Sequence, residues 1–181
     1  MSYDRKYLTW ALSYAIVGMC QGIIMAAAHD HKEGPTHAHT NLWGSGMSYK
    51  IEWRGEYTVV LFGGKVTYQE LREVGAAHYG DSRFDEIRYL IVDFIGADLS
   101  QITTNQPTII AALDSVAVSY NAELKMAFVV QDEYQQRLCE KYIEDSIGFQ
   151  SSWSHQIFFS MEDAQTWCEM QNSADWKTEN G

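Results

Sequence analysis

Four histidines fall within eleven residues near the start of the chain: His29, His31, His37 and His39. They form two H-x-H pairs separated by five residues. Imidazole suits zinc, copper or nickel, and four donors on one loop could close around a divalent metal. The competing reading is a solvated loop whose histidines bind nothing specific. A second group with chemical potential is Asp93, Asp98, Ser100, Thr103 and Thr104. These residues follow an apolar run expected to be a central strand. Ligands of open α/β sheets gather at the carboxyl ends of the strands, so this group marks a candidate site for a ligand or partner. A hydroxyl at the start of a helix can serve as a cap, a phosphate site or a phosphorylation target. For Thr103 and Thr104 the helix cap is the favoured of these roles.

Catalytic signatures do not accompany these residues. The chain has no GxGxxG, P-loop, GxSxG or HExxH. In "QSSWSHQ" (150–156) hydroxyls lie beside His155, but neighbours on an extended segment point opposite ways, which disfavours a nucleophile–base pair. His78 ends a helical pattern, where it fits as a partner for the helix dipole. The expectation is a protein that binds rather than catalyses, with no required cofactor.

Charge narrows the partners. Residues 1–46 carry three basic and three acidic groups, so the net charge of −11 lies wholly in the remainder. So acidic a region has no footprint for a phosphate backbone, and nucleic acid is excluded as a partner. The three cysteines, Cys20, Cys139 and Cys168, include no CxxC pair and read as free thiols of a reducing compartment.

The elements that must position these residues alternate regularly from Met47. Strands are expected at 51–54 and 57–63, around Gly55. Thr67 and Glu70 form a capping box for a helix ending near Tyr79. "IRYLIVDF" (87–94) reads as a strand buried on both faces. A polar loop, "IGADLSQI", leads to a helix starting near Thr103 or Thr104, with Pro107 in its first turn. Its inward face is expected to carry Ile109, Ile110, Leu113, Val116 and Ala117. A strand at 124–130, a helix at 132–145 and a strand at 156–160 follow. The third helix is expected to turn Tyr134, Leu138, Tyr142 and Ile143 inward. Ser160 caps a last helix with Asp163 three residues on, and Ala164, Trp167 and Cys168 face inward. The order ββαβαβαβα implies an α/β fold with a mixed, mainly parallel sheet and packed helices. The domain is expected over 47–171, with a flexible tail at 172–181.

The segment before Met47 differs in kind. Residues 7–28 contain no charge, and at ~1.5 Å per residue a helix of that length would span ~33 Å, about one hydrocarbon core. A transmembrane helix is the leading reading. A signal peptide and a segment packed on another surface are the alternatives. Residues 1–46 thus comprise an apolar helix, a His-rich loop and a "GSG" linker ending before Met47. Arg5 and Lys6 place the N-terminus in the cytoplasm by the charge rule, whereas the free thiols place the acidic domain there. The expectation favours a membrane-associated chain with a cytoplasmic domain, against a soluble cytoplasmic protein.

The stretches "YGDSRFDEIRYLIVDF", "IAALDSVAVS", "LKMAFVV" and "SWSHQIFFSMEDAQTW" resemble small bacterial STAS-like proteins, related to the anti-sigma-factor antagonist fold. The resemblance covers about Ser48 to Met170. It implies a sheet with packed helices and a role in binding regulatory protein partners, nucleotides or lipid-like ligands. In that family a Ser at the start of the helix after the central strand is phosphorylated. Here the loop "IGADLSQITT" is longer, and no residue matches that position. The stretch "THAHTNLWG" is similar to a segment of polytopic bacterial membrane proteins related to haem–copper oxidase subunits. That likeness implies metal- or haem-associated chemistry as the alternative function, but the helices that would complete such a site do not follow.

Overall fold

The computed structural model describes residues 48–178, and the side chains of 48–169. All of these belong to the unit Trp43–Gly181. Strands β1 (Tyr49–Arg54) and β2 (Tyr57–Lys65) form an antiparallel hairpin in register from Tyr49↔Phe62 to Arg54↔Tyr57. Gly55 opens its two-residue turn at φ +62°, a conformation such turns require and glycine adopts without steric cost. The chain continues through α1 (Tyr68–Tyr79), a 3₁₀ turn (Ser82–Asp85), β3 (Tyr89–Asp98), α2 (Gln106–Ala117), β4 (Lys125–Val129), α3 (Glu133–Gly148), β5 (Ser154–Phe158) and α4 (Met161–Thr178). The sheet order is β1-β2-β3-β4-β5, and every pair after the hairpin is parallel. This is the mixed, mainly parallel α/β fold expected from the sequence.

The topology dictates the layers. Three crossovers of one hand that step in one direction along a sheet must lie on one face. Val74 of α1, Ala111 of α2 and Leu138 of α3 accordingly pack with Val60, Leu90, Val92 and Phe128 in one core. Helix α4 packs on the other face, where Ala164 and Cys168 meet Val59, Tyr89, Ile91, Ala127 and Val129. Strand alternation divides the two sets: Leu90 and Val92 face one layer, Tyr89 and Ile91 the other. Burying an aliphatic or aromatic side chain of this size contributes about 1.5–3 kcal/mol, so β3, buried on both sides, is a principal source of stability.

The helix signals read from sequence form as expected at two ends. Thr67 Oγ1 accepts from Glu70 N at 3.3 Å, and Glu70 Oε2 accepts from Thr67 N at 2.8 Å. Glu70 also accepts from Ser48 N at 3.2 Å, which ties the start of β1 to α1. Ser160 Oγ accepts from Asp163 N at 3.1 Å at the head of α4.

Several details differ from the sequence reading. β3 continues through 95–98 rather than ending in a polar loop. An extra residue bulges from β3, so that Leu61 pairs with Asp93 but Gly63 pairs with Gly96. Gly96 suits the close approach there, since a Cβ would lie 3.3 Å from Phe62 O. Helix α2 is rotated from its expected face: Pro107, Ala111, Asp114 and Ala117 are buried, while Ile109, Leu113 and Val116 are only half-buried. Small Ala111 permits close packing, and Asp114 finds tyrosine hydroxyl partners, so the polar residue turns inward. On α3, Leu138 and Tyr142 are buried as expected, but Tyr134 is exposed. His78 is no dipole partner. It is buried, stacked at 4.8 Å on Trp53, and burial pushes its pKa down to about 4, which keeps the ring neutral. Helix α4 runs on to Thr178, into the stretch read as a tail.

Candidate binding site at the carboxyl edge

An open cleft of about 450 Å³ lies at the carboxyl edge of the sheet, between residues 97–100 at the end of β3 and residues 131–135 at the start of α3. Gln135 holds its two walls together. This side chain is 1% exposed, and its Nε2 donates to Phe94 O and Ala97 O, each at 2.9 Å. Its Oε1 accepts from Gln131 N at 2.9 Å. The amide therefore satisfies two carbonyls at the bulged end of β3 and one N–H before α3. Asp132 caps α3 by accepting from Gln135 N at 2.9 Å. Tyr134 donates its hydroxyl to Ile102 O, fixing the loop from above.

The opposite wall is set by Asp98. Its carboxylate accepts from Ser100 N at 2.9 Å, a local turn that fixes the chain as it leaves the strand. Bonds from the Ser100 hydroxyl and N–H, with a smaller contribution from Lys65, hold this carboxyl below its usual pKa. Leu99 and Ile102 are buried beneath the loop. The loop is thus pinned by apolar anchors, and the cleft is preformed. Its charge is negative, with Asp98 and Asp132 on its walls and Glu133 beside them on the first turn of α3. Those carboxylates occupy the positive end of the helix, which disfavours an anionic ligand there.

The structure brings only part of the sequence-derived group together. Asp98 and Ser100 line the cleft. Thr103 and Thr104 are exposed in the following turn and do not line it. Neither caps α2 as expected: the cap position is Asn105, which makes no side-chain capping bond. Thr103 instead donates its N–H to Gln106 Oε1 at 2.8 Å and its hydroxyl to Asn105 Oδ1. Asp93 lies on the other face, in register with Leu61 and Val129, because strand alternation points it toward the α4 layer. Burial raises its carboxyl pKa, and Oδ1 accepts from Ile95 N at 2.9 Å. The residues missed were Gln131, Asp132, Tyr134 and Gln135. A signal for two of them was present, since Asp132 with Gln135 three residues on is a capping pattern.

His29, His31, His37 and His39 lie outside the described residues, as does the apolar run 7–28. Among the described residues, no group of three or more His, Cys, Asp or Glu could hold a metal ion, and no helix is long and apolar enough to cross a membrane. The hydroxyls near His155 serve the loop: Ser152 donates to Ala122 O, and Ser151 accepts from Trp153 N. Cys139 and Cys168 are buried free thiols, and burial pushes Cys168 up to about 12, so both are held as thiols.

Fold and site together define a mixed α/β domain with a preformed cleft at the carboxyl edge of its parallel strands. A solved structure is similar to the chain: an uncharacterized protein of the DUF3478 family, with a SpoIIAA-like fold, from Shewanella loihica PV-4. The two are 18% identical, the match covers 72% of this chain and 98% of that one, and the TM-score is 0.41. No protein-family model and no curated protein matches the chain.

Proposed function

We propose that the domain is a non-catalytic recognition module of STAS-like type, which binds a protein partner or a small, lipid-like ligand in the cleft between residues 97–100 and 131–135. The preformed cleft at the carboxyl edge carries this reading, because open α/β sheets place their ligands there. The polar groups around it support binding over chemistry. Asp98 is tied to Ser100, Asp132 caps α3, and Gln135 is fully hydrogen-bonded, so they position the walls instead of presenting a free acid or base. The negative walls favour an uncharged or cationic group on the partner. In the same proposal residues 7–28 tether the chain to a membrane and the acidic domain is cytoplasmic. The free thiols support that compartment.

A thermal-shift panel on the full chain tests the proposal with a nucleoside triphosphate, an uncharged monoacylglycerol, a lysine-rich peptide and a glutamate-rich peptide. Ser100→Trp fills the cleft while keeping the backbone bond to Asp98. The expected result is stabilisation by the monoacylglycerol or the lysine-rich peptide, lost in Ser100→Trp. No stabilisation by any probe, or stabilisation kept in Ser100→Trp, would refute cleft binding. In a parallel arm the full chain is spun with neutral phosphatidylcholine vesicles. Sedimentation with them is expected, and a chain left in the supernatant would refute the tether.

A further inference from the structure

One buried acid plays no part in the cleft. Asp114 of α2 is 7% exposed, at the junction of the three helices that share one face of the sheet. Its Oδ2 accepts from the Tyr142 hydroxyl of α3 at 2.8 Å. The Tyr79 hydroxyl of α1 lies near the same carboxylate and favours its charged form. Gly75, one turn before Tyr79, leaves space for both groups. A Cβ there would stand 3.4 Å from the Tyr79 ring and 4.0 Å from Asp114 Oδ1.

Among the described residues no cation faces this carboxylate. From α1 come Tyr79 and, beside it, the neutral His78, with ring centroids 5.8 Å apart. From α3 come Tyr142 and the buried thiol Cys139. From β5 comes His155, whose ring lies 5.6 Å from that of Tyr142, and from β4 only Phe128. Lys141 of α3 is engaged elsewhere, with Asp145 at 2.6 Å, and Asp145 in turn accepts from Thr108 of α2. Burial, and next the neighbouring Asp114, hold the Tyr142 and Tyr79 hydroxyls protonated, so both act as donors.

We propose that the Tyr79–Asp114–Tyr142 cluster is a proton-sensitive clamp, tight when the carboxyl is protonated and loosened when it is ionised. Ionisation places a full charge among apolar and aromatic groups with only two neutral donors to solvate it. Burial accordingly pushes the Asp114 carboxyl up to about 6, against an ordinary 3.8. An acid raised in the folded state stabilises the fold fully below its unfolded value. That contribution fades as pH rises through the folded value. The clamp thus works between the two, just below neutrality. Helices α2 and α3 follow the two loops at the cleft, which gives the clamp a route to the site, but its test is independent of any ligand.

The experiment compares wild type, Asp114→Asn and Tyr142→Phe as full chains. Amide hydrogen exchange in α2 and α3, corrected for intrinsic rates, reads the opening equilibrium across pH. His78 and His155 are common to all three proteins, so their titration cancels. Opening of wild type relative to Asp114→Asn is expected to rise roughly a hundredfold from about pH 4 to about pH 7.5, tenfold for each of about two pKa units. Tyr142→Phe removes a donor to the ionised form and should move the midpoint to higher pH. A carbon-13 NMR titration of the wild-type carboxyl needs no variant, and should place Asp114 well above the ordinary aspartate range. An ordinary aspartate titration, or the same exchange profile in wild type and Asp114→Asn, would overturn the clamp.

Discussion

Acidification from about pH 7 to about pH 4 should withdraw ~3 kcal/mol of stability at His78, the largest single loss over that range. The ring of His78 is 1% exposed, stacked on Trp53 and edge-on to Phe84 at 5.3 Å. Neither ring nitrogen has a hydrogen-bond partner. Burial pushes its pKa to about 4, against an ordinary 6.5, and Asp81 offsets only part of that. A base lowered in the folded state stabilises the fold fully above its unfolded value, and this is lost as pH falls through the folded value. The window therefore runs from 6.5 down to about 4. A shift of about two and a half units corresponds to ~3 kcal/mol. His155 is also lowered to about 4 by burial, and adds a smaller amount because its ring is less enclosed. Asp114 opposes both, gaining stability over much the same range. The Asp114 gain, from a shift of about two units, offsets most of the His78 loss, so the net acid destabilisation of wild type is on the order of the His155 contribution. His78→Leu removes the titration and two unpaired buried nitrogens, so the variant should be no less stable near neutrality and should unfold at lower pH. Denaturant unfolding at a series of pH values checks this, and an unchanged acid profile in His78→Leu would contradict it.

Gln135→Ala should destabilise the domain by about 3 kcal/mol, because it leaves buried backbone groups unpaired and opens a cavity. The groups that lose this partner are Phe94 O, Ala97 O and Gln131 N, of which Ala97 O keeps only a long bond of 3.5 Å from Gln131 Nε2. Gln135→Met fills most of the volume without the bonds, so its loss isolates the polar part. Gln135→Glu keeps the shape but cannot donate to two carbonyls when ionised, and should be as costly as Ala near neutrality. Chemical denaturation measures all three. A change under about 0.5 kcal/mol in Gln135→Met would show that the amide does not hold the walls together.

Local signals were legible in the sequence because each is complete within a few residues. Thr67 with Glu70 and Ser160 with Asp163 fix two helix starts, and the apolar run at 89–92 marks a strand covered on both faces. The rest depends on partners distant in the chain. Residues 95–98 are strand because they pair with residues 63–65 of β2 beyond the bulge, where Gly96 lies close to Phe62 O and Gly63. Helix α2 turns Asp114 inward because Tyr79 and Tyr142 wait there, and apolar periodicity alone favours Ile109 and Leu113. The carboxyl edge was legible as a place, and Asp98 and Ser100 stand in it. Asp93 fell to the other face by strand alternation. Gln135, the residue that joins the cleft walls, had only a capping pattern to announce it.

Binding in the cleft is tested most directly by amide hydrogen exchange of the full chain, with and without the monoacylglycerol or the lysine-rich peptide. Occupancy predicts slower exchange at 97–100 and at 131–135, with α1 and the β1 edge unchanged. Protection confined to β1, α1 or α4, or no protection at saturating ligand, would contradict a binding site at the carboxyl edge.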